Sequence, residues 1–175
     1  TPYRKRDKKH LQEVKKEYQD EILFYEGIQY LFFMQWHALR SYANQKGIQI
    51  IGDLPIYVSL DSVDVWAQPE LFQLDEAKNP KEVAGVPPDG FSADGQLWGN
   101  PLFDWDYMEK TNFAWWVQRI HYLCHVYDTL RIDHFRGFDT YFAIPYGDMI
   151  LCYITGGIAV LGNIISVALG VSLGS

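Results

Sequence analysis

Leu130-Arg131-Ile132-Asp133-His134-Phe135-Arg136-Gly137 is the stretch whose reading decides the fold. It reads as a β-strand running out into a loop. Leu130 and Ile132 alternate with Arg131 and Asp133, so the two charged side chains fall on one side of the strand. A guanidinium beside a carboxylate holds it by directional hydrogen bonds and lowers its pKa, so that it stays ionised. Covalent catalysis on a sugar needs a carboxylate of this kind. For a lone Arg-x-Asp pair, a structural ion pair is the competing explanation.

Upstream, Ile48-Gln49-Ile50-Ile51-Gly52-Asp53 is a short β-branched run that also ends on an acid and is followed by Pro55. Its composition is that of a buried parallel strand. Before it, residues from about 8 to 45 are expected to be helical. Leu31, Met34, Ala38 and Tyr42 make one apolar stripe, and Phe32, Trp36, Leu39 and Ala43 make its neighbour. So wide an apolar arc predicts a well-buried second half. Gly27 is a candidate bend, and Gly47 a candidate helix stop. Residues 112 to 126 predict a further helix, with Trp116, Ile120 and Leu123 on one face, leading into a strand from Tyr127 to Asp133. Two strands, each preceded by a helix and each ending in an acid, suggest a parallel α/β barrel, in which catalytic groups sit at strand C-terminal ends.

Residues 61 to 110 hold most of the prolines and show no sustained period. A segment of that length is expected to be a functional excursion with small elements of its own. Residues 149 to 175 carry no charged residue and are rich in Ile, Leu, Val and Gly.

Composition narrows the function classes. The 175 residues are 48% hydrophobic, enough for an ordinary domain core, and the formal net charge is −7. Nucleic acid is not expected as a partner, because phosphate binding needs basic surface. The one basic run, Arg4-Lys5-Arg6 with Lys8 and Lys9, reads as a solvated helix face. Two cysteines, Cys124 and Cys152, make no disulfide framework, which fits a reducing compartment. Aromatic residues make up 16% of the chain, and aromatic faces stack on the C–H faces of sugars, although most are expected in the core.

Six ordered blocks then carry a resemblance. They are Ile50-Ile51-Gly52-Asp53-Leu54-Pro55-Ile56-Tyr57-Val58, Asp61-Ser62-Val63-Asp64-Val65-Trp66-Ala67, Pro69-Glu70-Leu71-Phe72, Ala84-Gly85-Val86-Pro87-Pro88-Asp89, Gly95-Gln96-Leu97-Trp98-Gly99-Asn100-Pro101 and Arg131-Ile132-Asp133-His134-Phe135-Arg136-Gly137. Together with the aromatic helix before Gly47, they resemble the amylomaltases, or 4-α-glucanotransferases, over roughly residues 11 to 148. The resemblance implies part of a (β/α)8 TIM barrel spanning 1–148, with 61–110 as an inserted irregular subdomain and 149–175 as an apolar tail foreign to the family. It implies a retaining transfer of α-1,4-glucan segments to the 4-hydroxyl of an acceptor sugar. Donors would be α-1,4-glucans or maltooligosaccharides, and the acceptor glucose or a glucan. Asp133 matches the family's nucleophile and Arg131 the residue that orients it. Asp53, Asp89, Gln96 and Trp98 match positions lining the cleft, and Tyr57 an aromatic contact there. Phe91 falls in a mobile loop over the donor glucan, with Gly90 where the family often has an aromatic residue.

A retaining mechanism also needs an acid/base carboxylate about 5–5.5 Å from the nucleophile. In the family it lies on a later strand, so this chain by itself is expected to be inactive. A non-catalytic α-glucan-binding remnant and an α-amylase-type hydrolase are the rivals. The Pro87-Pro88-Asp89 and Gly95-Gln96-Leu97-Trp98 blocks argue against the hydrolase. For the tail, a frame error or gene junction is the first reading, ahead of a packed tail and of a membrane anchor, so no membrane partner is expected. The family implies no cofactor and no metal, and a cytoplasmic protein, or a plastid one in a plant. His121, Cys124 and His125 share a helix face without a second ligand cluster, so they read as helix surface rather than zinc site. Asp61, Ser62 and Asp64 read as turn and cap residues. His134 could assist substrate binding, but strand alternation turns it away from Asp133 and leaves a structural role open.

Overall fold

The computed structural model describes residues 1–88, 90, 92–93 and 95–147. Asp89, Phe91 and the apolar segment 149–175 therefore lie outside the described residues. The chain divides into two compact units, Thr1–Ile51 and the part that begins at Gly52.

The first unit is helical. Helix α1 (Lys8–Glu17) starts where the Asp7 carboxylate accepts the His10 N–H at 2.9 Å, satisfying one of the unpaired donors of the first turn. Helix α2 (Gln19–Gln45) runs through Gly27 without a break. The interruption falls at Tyr18 instead, whose backbone (φ −104°, ψ 27°) leaves the helical region. Gly47 ends α2 as expected: it sits at φ +74°, a conformation open to glycine, with its N–H on Asn44 O and the Ile48 N–H on Ala43 O. The expected burial of the second half is not met. No residue of α2 is buried, and Phe24, Tyr30, Phe32, Met34 and Leu39 are exposed. A helix this apolar on all sides needs cover on several faces, and its own unit offers only α1.

The second unit is mixed α/β. Strand β1 (Ile51–Leu54) lies beside β4 (Thr129–Ile132) in a two-stranded sheet, although most of the unit separates them in sequence. Gly52 permits this pairing. A Cβ there would run into the ring of Tyr127, the residue two before β4 begins. Gly52→Ala should therefore destabilise the unit by about 1–3 kcal/mol, as overpacking does. A lowered urea midpoint with unchanged slope is the expected signature; an unchanged midpoint would show that the strands can part without cost.

The excursion between residues 61 and 110 does carry small elements. Helix α3 (Val63–Ala67) is capped by Ser62 Oγ, which accepts the Val65 N–H, and a 3-10 turn follows at Pro69–Leu71. Strands β2 (Glu82–Val86) and β3 (Gln96–Pro101) pair antiparallel, and β5 (Phe142–Pro145) adds to the free edge of β2, giving a sheet ordered β3-β2-β5. Helix α4 (Trp105–Lys110) starts at Asp104, whose Oδ1 accepts the Tyr107 N–H at 2.9 Å.

Helix α5 (Ala114–Val126) buries Trp116 and Ile120 and packs Leu123 against the same core, as its periodicity predicts. That core is strongly aromatic. Phe103 lies within 5.3–5.6 Å of Phe72, Trp105, Trp115 and Trp116, ring centre to ring centre. Edge-to-face and tilted pairs of this kind contribute about 0.5–1.5 kcal/mol each beyond simple burial. Leu54, Ile56 and Val58 project from β1 and its extension into it, so β1 is anchored through one face while the other stays open.

Candidate functional site

The open face of β1 and β4 carries the charged residues. In β1, Gly52 and Leu54 are buried while Ile51 and Asp53 are exposed; in β4, Leu130 and Ile132 turn toward the core while Thr129 and Arg131 face out. Pairing the two strands puts Asp53 and Arg131 side by side. Arg131 Nη2 lies 2.8 Å from Asp133 Oδ1, and Nη1 lies 3.5 Å from Asp53 Oδ1. One planar guanidinium thus reaches two carboxylates with different nitrogens, closely at Asp133 and more loosely at Asp53. All three side chains are about half exposed, so screening limits each pair to about 0–1 kcal/mol of stability. The arrangement positions Asp133 and contributes little to the fold.

Asp133 stands just past the last residue of β4, beside a cleft of about 300 Å³ lined by Asp53, Pro55, Ile56, Tyr57, Trp98, Asn100, Asp133 and His134. Two aromatic rings wall it. Tyr57 and Trp98 meet at 6.0 Å with their planes 60° apart, and Tyr57 stacks on the buried Phe103 at 6.0 Å and 15°. Burial, with the nearby Tyr141 phenol, pushes the Tyr57 hydroxyl far above its ordinary pKa, so it stays neutral and able to donate a hydrogen bond. Trp98 is held from the β3 side, where its Nε1–H donates to Gln96 Oε1 at 3.0 Å. Gln96 does not line the cleft itself; it orients the residue that does.

One cleft residue escapes a reading of the sequence, and another is left undecided by it. Asn100 lies two residues after Trp98 on β3, and that period-2 spacing is the signal that could have found it. Its Nδ2 donates to Val58 O at 2.9 Å, tying β3 to the extension of β1. His134 is the larger surprise. Strand alternation would turn it away from Asp133, but its backbone is left-handed (φ 49°, ψ 40°), so alternation ends at Asp133. The ring instead lines the same cleft, 4.7 Å from the Trp98 ring, with Nε2 3.7 Å from Asp133 Oδ2. A non-glycine residue held left-handed beside a cleft carboxylate is the kind of local strain that clusters at sites.

The remaining candidates are structural. Asp64 accepts from Trp115 Nε1 at 3.2 Å, Ser59 Oγ donates to Asp61, and Ser62 and Asp104 are caps. His125 Nδ1 is 2.8 Å from His121 O, and Cys124 is exposed. Among the described residues no three His, Cys, Asp or Glu side chains are grouped to hold a metal, and no helix is long and apolar enough to cross a membrane.

Comparison with known proteins identifies the family. The family model described as 4-alpha-glucanotransferase matches residues 1–163, so its end reaches into the apolar segment. The 4-alpha-glucanotransferase of Clostridium butyricum is 51% identical over 144 residues, which are 82% of this chain and 30% of the relative. That of Thermus thermophilus is 51% identical over 82% of this chain and 29% of its own. The potato enzyme, Solanum tuberosum "4-alpha-glucanotransferase, chloroplastic/amyloplastic", is 49% identical over 82% of this chain and 25% of its own. Among solved structures, the amylomaltase from Streptococcus agalactiae in complex with acarbose superposes with a TM-score of 0.91 at 44% identity, covering 99% of this chain and 37% of that one. The chain spans about 30% of the length of the curated relatives it matches. With a family match over nearly all of its own length, it belongs to the 4-alpha-glucanotransferases, the amylomaltases.

Proposed function

We propose that this chain supplies the nucleophile side of a retaining 4-α-glucanotransferase site within a (β/α)8 barrel, of which residues 1–148 form part. The observation that carries the reading is the Arg131 guanidinium bridging Asp133 and Asp53 beside an aromatic-walled cleft. An Asp133 oxygen attacks the anomeric carbon of an α-1,4-linked glucosyl unit. The bond from that carbon to the leaving O4 breaks, and O4 takes a proton from an acid that the family resemblance puts on a later strand. The 4-hydroxyl of an acceptor sugar then attacks the glycosyl ester, gives its proton to the same group, and frees Asp133 with the α configuration retained. Asp53, Tyr57 and Trp98 hold the sugar at this carbon, the rings against its C–H faces. In this proposal Asp89 and Phe91 complete the donor side, and Gln96 acts there through the Trp98 indole that it holds. The compartment proposed for it is the cytoplasm, or the plastid in a plant, as the name of the potato relative says of that enzyme.

The Streptococcus agalactiae relative is solved with acarbose, which makes acarbose the natural probe. The chain should bind it in the cleft, with the affinity read by calorimetry and the Trp98 indole resonance shifting on binding. Trp98→Ala, at a partly exposed position, should weaken that binding about tenfold or more. The same chain should convert no maltotriose into glucose and longer oligosaccharides, since the acid/base step contributes about 10²–10⁴-fold and is not assigned to any of its carboxylates. Unchanged acarbose affinity in the variant would move the site elsewhere, and transfer by the chain alone would require an acid/base group within it.

A further inference from the structure

We propose that a second cleft, separate from the one at Asp133, holds another glucosyl segment of the same α-1,4-glucan. The ligand class rests on the proposed function; the cleft itself does not. Its volume is about 340 Å³, within the range of small-molecule sites. It shares no lining residue with the first cleft.

Its lining suits a neutral polyhydroxyl ring. The half-buried Tyr141 lines it together with Trp105, whose ring is otherwise packed in the core. Gln73, Lys81, Asp104 and Asp106 bring donors and acceptors of both signs. Two carboxylates against one ammonium disfavour a phosphate or another anion, whereas sugar hydroxyls donate to the former and accept from the latter. Half of these groups are already fixed. Gln73 Nε2 donates to Phe103 O at 2.9 Å and lies 3.5 Å from Tyr141 Oη, leaving Oε1 as an acceptor. Asp104 uses Oδ1 to cap α4 and keeps Oδ2. Groups held in this way lose little freedom when a ligand arrives. Lys81 and Asp106 are exposed at the rim, and no side-chain hydrogen bond or ion pair among the described residues occupies their charged ends.

The two clefts also stand on one aromatic wall. Phe103 stacks on Tyr57 of the first and lies 5.3 Å from Trp105 of the second. A glucan seated in the second cleft is therefore held by the same packed core that positions Tyr57 and, through it, Trp98.

Titration of the ¹⁵N-labelled chain with maltotriose separates this proposal from the one it rests on. Trp98 reports the first cleft; Trp105 and the Gln73 amide report the second. All three resonances are expected to shift and saturate. Lys81→Ala combined with Asp106→Asn, both at exposed positions, should weaken the Trp105 and Gln73 response about tenfold and leave the Trp98 titration unchanged. If Trp98 alone responds, the second cleft is overturned and the transferase reading stands. If Trp105 and Gln73 alone respond, the reverse holds. A Trp105 shift that survives the double substitution is transmitted through the aromatic wall and overturns the proposal, and a chain with no response at either cleft overturns both.

Discussion

Asp133→Asn is expected to lower glucan transfer by about 10⁴-fold or more, the largest effect of any substitution in this chain. The measurement needs a complete enzyme, so the host is a chimera in which this chain replaces the matching segment of the 51%-identical Clostridium butyricum enzyme. The native chimera, disproportionating maltotriose, is the control. An amide oxygen is too weak a nucleophile to form the glycosyl ester. The amide keeps the shape of the side chain, and the Arg131 contact it alters is a half-exposed one worth little to folding. The variant should therefore melt within a degree or two of the control. Near-normal turnover would mean that a different carboxylate attacks the sugar, and Asp53, on the far nitrogen of Arg131, would be the first to test.

Arg131→Lys is expected to cost about 10²-fold in the same chimera, chiefly in kcat. The native guanidinium reaches Asp133 at 2.8 Å with one nitrogen and Asp53 at 3.5 Å with the other. An ammonium is a single point charge on a flexible stem and cannot reach both acids with separate nitrogens. A nucleophile displaced by about 1 Å from its line of attack loses about two orders of magnitude in rate. Charge is conserved, so long-range attraction and melting temperature should hardly change. A variant that retains full kcat would reduce Arg131 to a surface ion pair. One that loses stability in step with activity would make it a structural residue.

Much of the site was legible because its logic is local. The Arg131–Asp133 contact follows from period-2 alternation in one short strand, which needs only neighbouring φ and ψ values. The Gly47 stop and the burial of Trp116 and Ile120 are local in the same sense, set by a left-handed residue and by helical spacing.

The rest depended on contacts between distant parts of the chain. The sequence by itself determined that a short strand carries Asp53 near its end and that a second one carries Arg131 and leads into Asp133; only the tertiary structure brought β1 beside β4, so that one arginine reaches both acids. Nothing local encodes that pairing, because it is driven by burying Leu54, Leu130 and Ile132 against the aromatic core, with Gly52 allowing the close approach. The sheet β3-β2-β5 was likewise invisible, since its hairpin strands lack an alternating pattern and its third strand arrives from the far side of α5. His134 shows how one residue can escape a correct rule: alternation holds through Asp133, and a single left-handed residue ends it. Helix α2 shows the converse. Its sequence dictates an apolar helix, but burial depends on what packs around a surface, and within its own unit too little does.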